Sequence, residues 1–240
     1  MDHLAVTTPV LPPKGLNTSV YLDLNHFSRQ TPWAHGFMHN YALWLGPVLL
    51  AVVFVATYAV GWWRRAPRVS ALMIIGGIGT VVSLGLNQIV SHAAQELRPY
   101  NVHPQALVLV AKANDYSFPS DHSIIAGGLT ASILLVLGGE IWRRRGSTRG
   151  SATALHAGRG VPGSIRTLAA INVVLGLFLC FSRIYVGAHY LGDVVAGYLL
   201  ASFVVLLLSL LRSLVYRGVD AIEPTVLGHL LRRPAPAGTA

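Results

Sequence analysis

The segment SRIYVGAHYLGD carries an arginine, a histidine and an aspartate that together could act on a phosphate group. His189 and Asp193 are four residues apart, so they share one face if they lie on a helix. A carboxylate bound to one imidazole nitrogen leaves the other nitrogen available as a nucleophile. Arg183, six residues before His189, offers a planar fork that suits phosphate oxygens. Taken alone, the His–Asp pair is equally compatible with a plain helix cap.

A second segment, SFPSDHS, precedes a long apolar run. Pro119 and Ser120 are typical of a helix start, which predicts Ser120 as the N-cap residue. The free N–H groups near Asp121 would then bind an anion. His122 could protonate a leaving oxygen. Taken alone, Ser120 and Asp121 fit a capping role better than a binding role.

A third segment, ELRPYNVHP, supplies Arg98, which by itself also fits a lipid-headgroup contact. In combination, two arginines, two histidines, a helix N-terminus and a His–Asp pair are the parts that phosphoryl transfer requires, because its catalysis is mainly positioning and charge stabilisation. The chain has no HExxH motif, its one cysteine is Cys180, and no carboxylates run together. We therefore expect neither a catalytic metal nor another cofactor.

The composition indicates a membrane protein. Of the 240 residues, 53% are hydrophobic and only 11% are charged, against about a quarter charged in soluble domains. Five apolar stretches of about 20 residues each match the length that crosses a bilayer as a helix. We predict an all-α integral membrane bundle of about five transmembrane helices with an interfacial N-terminal segment. The predicted helices cover residues 41–63, 70–91, 122–141, 167–187 and 191–211.

Three parts are expected along the chain. Residues 1–40 are predicted to be polar and interfacial and to carry no cleavable signal peptide. Residues 41–216 are predicted to form the transmembrane domain, and residues 217–240 a disordered cytoplasmic tail. The net charge of +9 fits basic anchors at the cytoplasmic side better than nucleic-acid binding, which we do not expect. The expected partners are membrane lipids and a lipid phosphate, and the sequence leaves the oligomeric state open.

The distribution of basic residues predicts the orientation of the bundle. Thirteen of the 18 Lys and Arg residues follow the first, third and fifth predicted helices. Those segments lie on one side of the membrane, and the positive-inside rule makes that side cytoplasmic. All three segments with candidate chemistry then lie on the outer face.

These segments resemble the signature of the type-2 phosphatidic acid phosphatase superfamily over roughly residues 85–200. PSDH followed by SRxxxxxHxxxD carries the resemblance. It implies a metal-free hydrolase in which His189 forms a phosphohistidine, Asp193 orients it and His122 is the general acid. It also implies that the phosphate is bound by Arg98, Ser120, Arg183 and backbone N–H groups near Asp121.

One position departs from the family pattern. A lysine usually stands seven residues before the arginine of Arg-Pro, and here that position is Ser91. His92 and Lys112 are the candidates to replace it. The sequence PSDH and the segment LNHFSRQTPWAH are similar to the bacterial undecaprenyl-diphosphate phosphatase branch. That branch implies hydrolysis of a polyprenyl diphosphate to the monophosphate, which recycles a cell-wall lipid carrier.

Two other functions stay open on the sequence alone. A phosphatase of glycerophospholipids, acting on phosphatidate or phosphatidylglycerophosphate, would use the same chemistry. A non-catalytic protein that binds or transports lipid phosphates would also keep the phosphate site, and the serine at the lysine position keeps this less favoured alternative open.

The predicted orientation can be tested by labelling introduced cysteines. Residues 92–121 and 184–190 should face outside, and residues 142–166 the cytoplasm. An impermeant thiol reagent added to intact cells should therefore modify Gln105→Cys and not Gly150→Cys, with the parent chain and its Cys180 as background. Labelling at position 150 alone would invert the topology.

Overall fold

Long apolar helices account for most of the described chain. The computed structural model describes residues 15–64, 66–147 and 163–212, and within them it contains eight α-helices and no strand. The helices are α1 (Leu16–Gln30), α2 (His35–Asn40), α3 (Gly46–Trp63), α4 (Pro67–Ala94), α5 (Pro99–Val102), α6 (Asp121–Ser147), α7 (Gly163–Tyr185) and α8 (Leu191–Ser209).

Five spans in the described residues are long and apolar enough to cross a membrane, as the sequence predicts. They are Pro32–Trp63, Val69–Ala94, Asp121–Gly138, Gly163–Tyr185 and Leu191–Ser209. The all-α fold class and the number of spans are confirmed.

The first span begins nine residues earlier than its expected start at residue 41. A π-helical turn at Tyr41–Leu45 joins α2 to α3. The first span therefore includes the polar residues of α2, which do not belong to the apolar run in the sequence. Two of these residues are bonded to neighbouring backbone: a ring nitrogen of His35 lies 2.8 Å from the Ser28 oxygen, and one of His39 lies 2.5 Å from the Leu109 oxygen.

Helix α6 lies at the centre of the bundle and packs against α3, α4, α7 and α8. The approach of α6 to α8 depends on glycine. A Cβ built on Gly127 would lie 2.2 Å from the backbone oxygen of Tyr198, and one on Gly197 would lie 2.6 Å from that of Ser120. Small residues allow such close backbone contact between membrane helices. This contact brings the start of α6 beside the start of α8.

Helix α1 packs along α7 and α8 and holds the long connection between α5 and α6. The buried Asn25 donates to the Leu107 carbonyl at 2.7 Å and accepts from the Leu107 N–H at 3.0 Å. Arg29 donates to the carbonyl of Gln105. The part boundaries predicted at residues 40 and 216 stay predictions, and the expected tail at 217–240 and residues 1–14 lie outside the described residues.

Substitution of Gly127 should separate α6 from α8. The Cβ of Gly127→Ala meets backbone, which cannot rotate away, so we expect a destabilisation of about 1–3 kcal/mol together with lower activity. Unfolding of the purified protein in detergent measures it. Gly85→Ala is the matched control, because a Cβ on Gly85 has no atom within 4 Å; equal stability of the two variants would contradict the tight contact.

Candidate active site

A polar cavity of about 540 Å³ lies where α4 ends and α6 and α8 begin. It contains residues from all three segments that the sequence singles out. Five of the seven predicted site residues line it, and Ser120 and Asp193 lie outside the lining. The lining residues are Asn87, Gln88, Ser91, His92, Leu97, Arg98, Asn101, Asn114, Asp115, Tyr116, Pro119, Asp121, His122, Arg183 and His189.

His189 is buried, and its hydrogen bonds define its tautomer. Its Nδ1 lies 2.9 Å from the backbone carbonyl of Ser117, which can only accept, so Nδ1 carries the proton. Its Nε2 therefore keeps a lone pair, and the Nη1 of Arg98 lies 3.2 Å from it. Burial lowers the pKa of His189 to about 4, an effect that Asp193 partly offsets. The imidazole is thus neutral at pH 7 and chemically able to act as a nucleophile through Nε2.

The His–Asp pair is not arranged as a helix face, so that expectation is wrong. Helix α8 begins at Leu191 with Tyr190 as its N-cap, which leaves His189 in the preceding turn. Asp193 instead reaches back from the first turn, where its Oδ2 accepts the N–H of Tyr190 at 2.8 Å. That carboxylate oxygen lies 3.5 Å from the His189 Nδ1. The helix cap and the contact with the histidine therefore use the same oxygen.

Ser117 is a site residue that the sequence reasoning missed. It is fully buried; its carbonyl binds His189, and its hydroxyl donates to the Asp193 Oδ2 at 2.5 Å. One residue thus holds both members of the His–Asp pair. The only available signal was its position three residues before Ser120 in SFPSDHS.

Arg98 lies between His189 and a second carboxylate. Its Nε and Nη2 donate to the two carboxylate oxygens of Asp115 at 2.6 and 2.9 Å. Its Nη1 donates to the carbonyl of Ala188 at 3.2 Å. Asp115 was also missed by the sequence reasoning, because an exposed aspartate in a loop has no distinctive pattern.

Arg183 and His122 complete the wall of the cavity. The buried Arg183 donates from Nη1 to the Ala42 carbonyl at 3.1 Å, while its Nε has no partner. A buried N–H without a partner is costly, so an anion that accepts from it would be favoured. His122 lies in the first turn of α6, at the positive end of the helix dipole.

The residues that flank His122 differ from the expectation. Ser120 is fully buried and outside the lining, and its hydroxyl has no hydrogen-bond partner, so it makes no side-chain cap. Its backbone N–H donates instead to the Asp193 carbonyl at 3.1 Å, because α8 packs directly against the start of α6. Asp121 is exposed and lines the cavity, and its Oδ1 accepts from Asn87 at 2.6 Å.

The position of the family lysine does face the cavity. Ser91 and His92 both line it. Lys112 lies outside the lining, with its ammonium 5.7 Å from the centre of the Tyr100 ring. Of the two candidates to replace the lysine, the geometry favours His92. In the described part of the chain, no three His, Cys, Asp or Glu side chains are grouped as metal ligands would be.

The fold and the motifs define a class of membrane protein. A family model described as the PAP2 superfamily matches residues 70–217, which is more than half of the chain, and the chain therefore belongs to that superfamily. It is a multi-pass membrane protein and a lipid phosphatase, a hydrolase.

Two curated relatives and one solved structure resemble the chain. The undecaprenyl-diphosphatase of Sulfolobus acidocaldarius is 24% identical over 79% of this chain and 75% of its own length. The undecaprenyl-diphosphatase BcrC of Bacillus subtilis is 26% identical over 82% of this chain and 85% of its own length. The crystal structure of a transmembrane PAP2-type phosphatidylglycerolphosphate phosphatase from B. subtilis aligns with a TM-score of 0.53 and 17% identity, covering 80% of this chain and 84% of that one. It shows the same fold.

The role of Ser117 can be tested by removing its hydroxyl. Ser117→Ala keeps the carbonyl bonded to His189 but leaves Asp193 with one hydrogen bond fewer. Since a bond to a buried charge contributes about 1.5–3 kcal/mol, we expect kcat to fall roughly 10- to 100-fold. Ser132→Ala, which removes a buried serine hydroxyl bonded within α6, is the control. Equal activity of the two variants would show that Ser117 contributes only its backbone.

Proposed function

We propose that the chain hydrolyses a polyprenyl diphosphate of the undecaprenyl type to the monophosphate, through a phosphohistidine, at the outer face of the cytoplasmic membrane. The observation that carries the proposal is the geometry of His189, whose Nδ1 is bonded to the Ser117 carbonyl while its Nε2 lies beside the Arg98 guanidinium inside the cavity. The two curated relatives named undecaprenyl-diphosphatase, which align with about four-fifths of the chain, support the choice of substrate.

In the first step, Nε2 of His189 attacks the terminal phosphorus. The bond between that phosphorus and the bridging oxygen breaks, and His122 gives its proton to the leaving lipid monophosphate. Arg98, Arg183 and the first N–H groups of α6 bind the equatorial oxygens, where charge stabilisation matters most. Asp193 and the Ser117 carbonyl hold the imidazolium that forms.

In the second step, water attacks the phosphohistidine. His122, now deprotonated, takes a proton from that water, and the N–P bond breaks to release inorganic phosphate and neutral His189. Both steps use the same two histidines, so the cycle needs no further proton carrier. The lipid monophosphate returns to cell-wall synthesis.

The outer-face assignment has support from the direction of the helices. Arg64 lies just before α4 and Arg68 is its second residue, whereas Arg98 follows its end. A helix that spans the membrane places those two groups on opposite sides. If the basic side is cytoplasmic, the cavity opens to the outside.

A substrate panel separates this function from its alternatives. Phosphate release from the purified protein would be compared for undecaprenyl diphosphate, undecaprenyl monophosphate, phosphatidate and phosphatidylglycerophosphate, with a reaction that contains no protein as the blank. The proposal requires the highest kcat/KM for the diphosphate. Preference for either glycerophospholipid would establish the other phosphatase, and binding without release would establish a binding or transport protein.

The nucleophile can be tested by trapping the phosphoenzyme. His189→Ala should abolish turnover, whereas Asp193→Asn should keep a small fraction of it, because the His189 ring is then less well oriented but still present. His122→Ala should lose about 100- to 10,000-fold, and least with a nitrophenyl phosphate, whose leaving group needs no proton. An acid-labile, base-stable phosphoenzyme should form in wild type and His122→Ala, and not in His189→Ala. Turnover by His189→Ala at a comparable rate would refute the mechanism.

A further inference from the structure

Asp115 occupies the side of Arg98 that is best suited to phosphate. The Nε and Nη2 of an arginine form a fork that two oxygens of one carboxylate or one phosphate can fill. In the structure, both oxygens of Asp115 fill that fork, at 2.6 and 2.9 Å. The phosphate group and the Asp115 carboxylate therefore require the same donors.

The other end of the guanidinium is also engaged. Its Nη1 lies 3.2 Å from the Ala188 carbonyl and 3.2 Å from the Nε2 of His189. A phosphorus atom must approach the Nε2 of His189 to about 3–3.5 Å before that nitrogen can attack it, and the Arg98 guanidinium occupies this position. In the structure, the Arg98 guanidinium is thus bonded both to His189 and to Asp115.

The Asp115 carboxylate is placed so that it can move away from Arg98. Its side chain is 58% exposed, whereas that of Arg98 is only 11% exposed. The carboxylate can therefore move into water at little cost, while the buried guanidinium needs an acceptor at all times. An incoming phosphate can provide that acceptor, and repulsion between two anions at one fork disfavours their joint presence.

We propose that Asp115 is a specificity residue, a competing carboxylate that fills the Arg98 fork in the empty enzyme and that a phosphate must displace to reach His189. Displacement lets Arg98 turn from Nε2 to the phosphate oxygens, which frees the nucleophile. After hydrolysis, Asp115 returns to the fork and promotes release of inorganic phosphate.

Competition with a fixed carboxylate favours the more highly charged headgroup. A diphosphate carries more negative charge than a monophosphate, so it gains more from Arg98 and Arg183 and displaces Asp115 more readily. Asp115 would thereby reduce binding of the lipid monophosphate, the product that must not be hydrolysed further. This consequence rests on the proposed diphosphatase function, whereas the competition itself does not.

The competition can be measured without any turnover. Equilibrium binding of inorganic phosphate to the purified full-length protein would be compared for wild type, Asp115→Asn and Asp115→Glu at one pH and salt concentration. Asp115→Asn should bind phosphate about five- to tenfold more tightly, because the amide is a neutral and weaker competitor. Asp115→Glu, which keeps the charge, should bind it more weakly than Asp115→Asn.

Asp23→Asn controls for the loss of one negative charge. Asp23→Asn removes the same charge from an exposed position on α1 outside the cavity lining, so it should bind phosphate as wild type does. Unchanged or weaker binding by Asp115→Asn would overturn the proposal and make Asp115 a support that merely holds Arg98 in place.

The selectivity is tested by a second arm with lipid substrates. In Asp115→Asn, the inhibition constant of undecaprenyl monophosphate, measured as a product inhibitor, should fall more than the KM for the diphosphate, and kcat should not rise, because phosphate leaves more slowly. An unchanged ratio of that inhibition constant to KM would overturn the selectivity. If neither lipid is a substrate, the proposed function fails, and the phosphate-binding arm still decides whether Asp115 competes.

Discussion

The hydrogen bond between the His189 ring and the Ser117 carbonyl is the interaction on which the rest of the site depends. A carbonyl accepts and never donates, so it fixes the proton on Nδ1 and the lone pair on Nε2. A carboxylate at the same distance would do this too, but it would also raise the pKa of the ring strongly. Here the carboxylate of Asp193 lies farther away, at 3.5 Å. The ring is thereby oriented while burial keeps it neutral.

That carbonyl belongs to the long connection between α5 and α6, which can hold the His189 ring in place only if its own backbone is fixed by hydrogen bonds. Three parts of the chain provide the bonds. Asn25 of α1 pairs with Leu107, the hydroxyl of Tyr100 bonds both backbone groups of Ala113, and the Ser117 N–H donates to the Glu96 carbonyl at 2.8 Å. Helix α1 therefore supports the active site from a distance, although it lacks any residue of the cavity wall.

The turn before His189 depends on one glycine. Gly187 has a φ of +79°, and a Cβ there would lie 2.5 Å from the Leu107 carbonyl. A side chain at this position would strain the turn and push away the connection that carries Ser117. The turn and the connection thus determine each other's position, and together they determine where His189 lies.

The sequence predicted the five spans because hydrocarbon thickness imposes a length that apolar runs reveal directly. It also brought Arg98, His122, Arg183 and His189 to one end of the bundle, because each stands at the end of such a run. It could not reveal Ser117, whose main contribution is a backbone carbonyl that every residue type possesses. The rule that residues four apart share a face failed for His189, since it holds only inside a helix and α8 begins two residues later.

The charges of the cavity are separated by depth, which the sequence does not show. Arg98 and Arg183 are buried, whereas Asp115 and Asp121 are exposed. A phosphate therefore meets negative charge near the opening and gains attraction only when it reaches the buried arginines. The attraction there is stronger, because less water screens it. Asp115 compensates the charge of Arg98 from the solvent side, and the proposed displacement would exchange this compensation for that of a phosphate.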